Sequence, residues 1–233
     1  MRIPFALPLA ALFLLSLAGC RSDGGAGASA PAASGAAAAQ QPKPLTPLPG
    51  KETTAPALTQ VTKVRFATTA GDVVIEVYPQ AGPNAAKRFL ELVTTGFFDD
   101  TPVSRVVPGF VAQFGVNWRD PHKAYENRQF IDDPSWFALE RGTLAFAKAG
   151  QPNTASTQLF INYGDNTRLA APQPNMSFWA FGKVVEGMDV VDKFVQVGDP
   201  SGGLDQGRLW ADGGNYLASL PVKPTMITKA TVE

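Results

Sequence analysis

The sequence predicts a mainly β domain that folds as a closed or nearly closed antiparallel barrel with two helices. Three observations predict this class. Short runs of β-branched and aromatic residues recur along most of the chain, and turn residues separate them. Only two segments carry apolar residues at helical spacing. The 15 Phe and 4 Trp residues can supply a sizeable core.

The first two predicted strands form a hairpin. Apolar and polar residues alternate from about Thr62 to Thr68, and the turn at Gly71-Asp72 leads into a second β-branched run over residues 73–78. The other strands are predicted, in chain order, at residues 103–107, 110–114, 143–148, 157–162, 178–185 and about 225–232. The sequence contains no internal repeat, and we expect one domain over residues 61–233.

Two helices are predicted among these strands. The first begins at Pro83, and Gly96 suits its C-terminal cap. Its apolar face is formed by Phe89, Leu92 and Val93. A shorter second helix is predicted at about residues 188–195.

The charge balance and the scarcity of Cys and His exclude several classes of protein. The chain has 20 basic and 20 acidic residues and no basic stripe, so nucleic acid is not an expected partner. Its single Cys and single His exclude a disulfide framework within the chain and a Cys/His metal cluster. No heptad pattern is present, and we expect a monomer.

The N-terminus has the features of a targeting signal. Arg2 precedes an apolar run over residues 3–17, which is too short and too close to the terminus for a membrane span. The sequence LAGC, which ends at Cys20, resembles a bacterial lipobox. We therefore expect a lipoprotein signal peptide at residues 1–19 and lipid on Cys20. An ordinary secretory signal with an incidental Cys is the alternative.

Residues 20–60 are rich in Ala, Gly, Ser, Pro and Gln. Such a composition buries too little apolar surface to offset the entropy of ordering, so we expect a flexible tether behind the lipidated Cys20. The expected location is the cell-envelope membrane, to which the protein is exported and anchored by its N-terminal lipid. The domain would then face the periplasm or the exterior.

No conventional catalytic arrangement is found. His122 lies in a polar stretch, and we expect a solvated loop residue. The glycine pairs at residues 202–203 and 213–214 lack the Lys and Ser/Thr of a phosphate-binding loop. The carboxylate pairs at residues 99–100 and 132–133 are better explained by turns than by acid–base chemistry. The residues therefore indicate no nucleophile, metal or cofactor.

Four segments carry a sharper signal. Residues 104–115 (SRVVPGFVAQFG) contain one Arg in an apolar strand, with a Phe and a Gln just after a turn. The others are residues 142–149 (GTLAFAKA), 156–162 (STQLFIN) and 181–191 (FGKVVEGMDVV). In order and spacing, these segments resemble the cyclophilin family of peptidyl-prolyl cis–trans isomerases. The resemblance extends from about Val64 to Val232.

The resemblance implies a closed eight-stranded antiparallel barrel capped by two α-helices, with an external groove that binds X-Pro segments of unfolded or exported proteins. It implies an isomerase that needs no cofactor and assists protein folding. Arg105 matches the catalytic Arg of the family. The positions that match substrate-binding residues are Phe110, Val111, Gln113, Ala147, Lys148, Gln158, Phe160, Arg168, Leu169 and Phe178.

Three positions depart from the common pattern of the family. Ser104 replaces a His that is common in the family, and Phe178 replaces a His or Tyr. Arg168 stands where Trp or Phe is frequent. The resemblance implies that Ala147 and Lys148 contact substrate partly through their backbone. The departures bear on peptide preference and drug binding more than on activity.

Other interpretations remain at this stage. Arg105 could form a structural ion pair, and the Phe side chains could simply fill a core. The amides of Gln113 and Gln158 must find partners within apolar strands, which favours a defined role. Two alternative functions remain. One is a chaperone module whose groove binds peptides without turnover, and the other is a lipoprotein barrel with only a structural role.

Overall fold

Eight short antiparallel strands form the domain. They are β1 (Thr62–Thr68), β2 (Gly71–Val77), β3 (Thr101–Val107), β4 (Val111–Phe114), β5 (Thr143–Phe146), β6 (Leu159–Asn162), β7 (Gly182–Glu186) and β8 (Met226–Val232). In the computed structural model, which describes residues 44–170 and 177–233, they close into a barrel in the order β1-β2-β7-β5-β6-β4-β3-β8. The predicted closed eight-stranded barrel is confirmed.

Within the described residues, three α-helices accompany the barrel: α1 (Pro83–Thr94), α2 (Met188–Val191) and α3 (Gln206–Ser219). Helix α1 buries the predicted apolar face, and Gly96 after it adopts a φ of +71°. Helix α2 is shorter than predicted. The same part of the chain also contains 3₁₀ turns at His122–Asn127 and Thr167–Leu169.

Helix α3 was not predicted, because its sequence is a poor helix former. It contains three Gly residues, and Asp212 has non-helical dihedral angles that kink it. The side chain of Asp205 caps its start by accepting a hydrogen bond from the backbone N–H of Arg208 at 2.9 Å. At Gly213 an added Cβ would lie 2.3 Å from the ring of Trp118, so this glycine allows a close approach.

The strands separate two apolar clusters. Inward-facing residues fill the barrel, where the ring of Phe66 lies 5.4 Å from Phe98 and 5.6 Å from Phe114 between centroids. A second cluster contains Val111 and Phe160, which alternate along β4 and β6 with residues of the barrel interior. The alternation thus gives this side of the barrel an apolar outer face.

Residues 44–60, which composition assigns to the tether, contact the domain instead. Leu45 is only 3% exposed and belongs to the second cluster. The backbone N–H of Leu48 donates to the carbonyl of Trp136 at 2.9 Å, and that of Ala138 donates to the carbonyl of Thr46 at 2.8 Å. A few Leu residues therefore order a segment that its overall composition describes poorly. We call residues 44–58 the N-terminal strap.

The remainder of the predicted leader and tether, including Cys20, lies outside the described residues. Within residues 44–170 and 177–233, no helix combines the length and hydropathy that crossing a membrane requires.

Both carboxylate pairs do more than shape turns. The carboxylate of Asp133 accepts hydrogen bonds from the backbone of Asn84 and Ala85 at 3.1 and 2.8 Å, and so caps α1 from a distant segment. Asp99 pairs with Lys229 at 2.6 Å. The ring of His122 packs edge-on against Phe97 at 5.8 Å, and burial is the main cause that lowers its pKa.

Candidate active site

Arg105 stands on β3 directly opposite Gln113 on β4. Its neighbours Ser104 and Val106 are buried, whereas Arg105 is half-buried, because successive side chains of a strand point to opposite faces. Its Nη1 donates to Oε1 of Gln113 at 3.1 Å, and its Nε donates to the backbone carbonyl of Ser201 at 2.5 Å. The guanidinium is thus held at two of its three nitrogens.

Two glutamine amides extend this network. Nε2 of Gln113 donates to Oε1 of Gln158 at 2.8 Å. Because Arg105 can only donate, Gln113 must turn its oxygen towards the Arg and its amide nitrogen towards Gln158. The Nε2 of Gln158 has no hydrogen-bond partner within the described parts of the chain. It is therefore available as a donor to a bound peptide.

An apolar surface lies beside the network. Val111 and Phe160 are 2% and 5% exposed and form its floor, and the ring of Phe178 meets Phe160 edge-on at 5.6 Å between centroids. A groove of about 420 Å³ opens above them. Its lining consists of Arg105, Phe110, Val111, Gln113, Ala147, Lys148, Phe160, Leu169 and Phe178. The structure therefore brings nine predicted site residues around one groove.

Gln158 and Arg168 flank this groove rather than line it. Gln158 borders an adjoining cavity of about 550 Å³ on the side of Ser201. Arg168 borders another of about 790 Å³, together with Leu48 of the strap and Trp136. The exposed guanidinium of Arg168 has its Cζ 5.9 Å from the ring centroid of Phe110, which places Arg168 on the rim.

The ring of Phe110 lies near two guanidinium groups. The Cζ atom of Arg105 is 5.6 Å from its ring centroid, slightly closer than that of Arg168. The ring follows the tight turn at Gly109, whose φ of +73° favours glycine. The carbonyl of Phe110 accepts from the backbone of Tyr163 at 2.9 Å and from the amide of Asn166 at 2.9 Å. These two hydrogen bonds therefore hold the backbone of the turn in place.

The ammonium of Lys148 is buried in an ion pair at the groove. Its Nζ lies 2.6 Å from a carboxylate oxygen of Asp132, and the side chain of Lys148 is 2% exposed. The same Nζ lies 5.2 Å from the ring centroid of Trp179. Lys148 can thus offer its backbone to a peptide, while its charge is neutralised within the domain.

Sequence reasoning missed the contact of Arg105 with Ser201. The glycine pair at residues 202–203 indicates only a loop, and Ser201 lies 96 residues from Arg105 in the chain. The only local signal was the run Asp199-Pro200-Ser201-Gly202, which is typical of a side-chain-stabilised turn. No feature of that run indicates which residue it contacts.

No cluster of three or more His, Cys, Asp or Glu side chains suited to a metal ion occurs in residues 44–170 and 177–233. What the arrangement offers is a fixed cation, two oriented amides and an apolar floor. Such a set can bind an uncharged peptide segment and stabilise charge that shifts within it.

Comparisons with known proteins identify the family that this chain resembles. The family described as cyclophilin type peptidyl-prolyl cis-trans isomerase/CLD matches residues 63–231. A peptidyl-prolyl cis-trans isomerase of Acinetobacter baylyi is 36% identical over 148 residues, which is 62% of this chain and 78% of that protein. Isomerase A of Dickeya dadantii is 32% identical over 177 residues, which is 76% of this chain and 87% of that protein.

Solved structures show the same fold. A cyclophilin-type isomerase of Cryptosporidium parvum is similar with a TM-score of 0.56 at 23% identity, over 75% of this chain and 98% of that chain. A second structure of that protein, in the presence of the dipeptide Ala-Pro, has a TM-score of 0.54 and covers 73% and 98%.

Proposed function

The chain belongs to the cyclophilin family of peptidyl-prolyl cis–trans isomerases, and we propose that Arg105 assists isomerisation by stabilising the twisted amide of an X-Pro bond. The observation that carries this proposal is the restraint of the Arg105 guanidinium, at Nε and at Nη1, beside an apolar floor. The catalysed reaction is rotation about a single peptide bond.

Isomerisation of an X-Pro bond requires few chemical groups from the protein. The cis and trans forms of an X-Pro bond are close in free energy, but they exchange over tens to hundreds of seconds. The barrier is the lost resonance of the planar amide, roughly 18–20 kcal/mol. No covalent bond breaks, so neither a nucleophile nor a general base is required. The enzyme needs only to bind the twisted amide more tightly than the planar one.

Several residues in and beside the groove have a role in this account. In the twisted amide the nitrogen regains a lone pair, which a fixed guanidinium N–H can approach as a donor. Phe110, Phe160 and Leu169 can hold the proline ring by apolar contact. The free amide nitrogen of Gln158 can hold a backbone carbonyl of the peptide while the other side rotates. Because these groups are already oriented, little reorganisation is needed during rotation.

The test is an isomerase assay on a short Ala-Pro peptide with the full-length protein and Arg105→Ala. We expect turnover to fall about a hundred- to a thousandfold, since one preorganised donor contributes that much in comparable sites. Arg65→Ala is the control, because Arg65 is a β1 residue paired with Glu233 and Asp72. Unchanged turnover in folded Arg105→Ala protein would remove Arg105 from the mechanism. Peptide binding without turnover in the wild type would indicate a chaperone module.

We also propose that the protein is exported and acts as a monomer on X-Pro segments of exported proteins, with lipid on Cys20 holding it to the cell-envelope membrane. The support is the lipobox-like sequence that ends at the only Cys of the chain. Cys20→Ser should release the protein from membranes or leave the precursor uncleaved. Soluble, mature-sized protein from both the wild type and Cys20→Ser would refute lipidation.

A further inference from the structure

A small closed loop packs against the strand that carries Arg105. Its ends, Asp199 and Gly203, exchange two backbone hydrogen bonds of 2.8 Å, each donating to the carbonyl of the other. The next N–H, that of Leu204, donates to the carbonyl of Ser104 at 2.8 Å. We call residues 199–203 the arginine loop. These bonds fasten the loop to β3 at the residue before Arg105.

The carboxylate of Asp199 orders the interior of the arginine loop. Its Oδ1 accepts from the backbone N–H of Ser201 at 2.9 Å, from the hydroxyl of Ser201 at 2.7 Å and from the backbone N–H of Gly202 at 2.7 Å. One carboxylate oxygen thus accepts three hydrogen bonds. The hydroxyl of Ser201, followed by the two N–H groups, lowers the pKa of Asp199. The carboxylate is therefore ionised at neutral pH.

The loop is fitted closely to the backbone of β3. Gly203 has a φ of +77°, and an added Cβ would lie 2.4 Å from the carbonyl oxygen of Ser104 and 2.7 Å from Cα of Arg105. Only a glycine permits both the conformation and the approach. Because the loop is closed and cannot slide along β3, the position of the Ser201 carbonyl relative to Arg105 depends on the internal order of the loop.

That carbonyl holds one edge of the guanidinium. It accepts from Nε of Arg105 at 2.5 Å, while Gln113 accepts from Nη1. A planar group held at two nitrogens has its plane fixed. Within the described residues, Nη2 of Arg105 has no hydrogen-bond partner. It remains free to donate to a peptide bound in the groove.

We propose that Asp199 is a positioning residue for isomerisation, which orients Arg105 through the backbone carbonyl of Ser201. The inference rests on the proposed role of Arg105. Without the Asp199 acceptor, the N–H groups of Ser201 and Gly202 would donate to water instead. The carbonyl of Ser201 would then lose its fixed orientation. Arg105 would then sample several orientations, and fewer enzyme molecules would have the guanidinium aligned with the twisted amide.

The first test uses the full-length protein with Asp199→Ala and Asp199→Asn on an Ala-Pro peptide. We expect Asp199→Ala to lower kcat about ten- to a hundredfold with little change in KM, as a misplaced catalytic group does. Asp199→Asn keeps an oxygen at the same position and should recover most of the loss. The control is Asp189→Ala, since Asp189 is an exposed α2 residue that pairs with Lys193. Unchanged kcat in Asp199→Ala would overturn the proposal.

The second test separates positioning from a merely structural turn. In an Arg105→Ala background, Asp199→Ala should cause no further loss of kcat, because the group it orients is gone. An equal loss in both backgrounds would overturn the proposal. The Nε–H NMR signal of Arg105 gives a readout independent of activity. Its chemical shift should change in Asp199→Ala and be restored in Asp199→Asn, and an unaltered signal would also overturn the proposal.

These outcomes are distinct from failure of the proposed mechanism. If Arg105→Ala keeps full turnover, the proposed role of Arg105 is wrong, whereas the NMR signal still decides whether Asp199 orients the guanidinium.

Discussion

Oε1 of Gln113 accepts from Nη1 of Arg105 at 3.1 Å, and the two residues are paired directly across β3 and β4. This hydrogen bond fixes the direction in which Arg105, Gln113 and Gln158 donate to one another along the polar edge of the groove. Gln113 must donate on its other side to Gln158, and the amide nitrogen of Gln158 is left for the peptide. The polar edge therefore depends on the single residue that joins the cation to the second amide.

Replacing Gln113 tests this dependence. Gln113→Leu removes the acceptor for Arg105 and the donor to Gln158, and we expect kcat/KM to fall at least tenfold, since a hydrogen bond to a charged group is worth about 1.5–3 kcal/mol. Gln113→Glu keeps the acceptor and should lose less activity. Rates measured on an Ala-Pro peptide check both changes. Equal activity of Gln113→Leu and wild type would show that the pair is incidental.

Arg168 on the rim should weaken inhibition by cyclosporin, the cyclic peptide that many cyclophilins bind in this groove. Trp offers a flat apolar wall and one fixed N–H at the corresponding position of the family, whereas the exposed Arg168 guanidinium prefers water. We expect Arg168→Trp to bind the inhibitor about ten- to a hundredfold more tightly, which corresponds to about 1.4–2.7 kcal/mol. Isomerase activity should survive.

Inhibition constants of the wild type and Arg168→Trp decide this prediction. The matched control is Arg141→Trp, which changes another exposed Arg, one that pairs with Asp192. An inhibition constant that does not improve in Arg168→Trp would contradict the importance of this rim contact.

The N-terminal strap should contribute to the stability of the domain. Leu45 is buried in the second apolar cluster, so Leu45→Ala should lower the free energy of unfolding by about 2 kcal/mol, at the low end for a buried Leu. Leu48→Ala should cost less, because Leu48 is only half-buried. Urea unfolding of both variants measures the difference. If 44–58 were a free tether, neither substitution would change the unfolding midpoint.

The buried carboxyl of Asp133 should make stability depend on pH. Burial, the largest cause, raises its pKa, although the N–H groups of Ala85 and Asn84 oppose the shift. A folded-state pKa above the unfolded one means that the contribution of Asp133 to stability is fully present below the unfolded pKa of about 3.9. It is lost as the pH rises through the folded-state pKa.

Urea unfolding from pH 3.5 to 7, on wild type and Asp133→Asn, measures this effect. We expect the free energy of unfolding of the wild type to fall relative to Asp133→Asn as the pH rises through the acidic range. Asp189→Asn is the control, since the pKa of Asp189 is lowered, mainly by its hydrogen bond with Lys193. Curves for wild type and Asp133→Asn that stay parallel would exclude the predicted shift.

Local patterns were enough to predict the strands and the apolar face of α1. Side-chain alternation in a strand and the helical period depend on neighbours along the chain, so Val111 and Phe160 could be assigned to strands without knowledge of the fold. The resemblance of four segments to a known family, in order and spacing, also predicted the nine residues that line the groove. These were properties of short segments.

Contacts between distant segments were decided only by closure of the barrel. The carbonyl that holds Arg105 belongs to Ser201, 96 residues away, and the strap reaches Trp136 from residue 48. Composition predicted a flexible tether for residues 44–60, yet a few of its Leu side chains pack against the second apolar cluster of the domain. No local sequence pattern indicates that contact. The partner of a polar or apolar group depends on which surfaces the fold brings together, and that is a property of the tertiary structure alone.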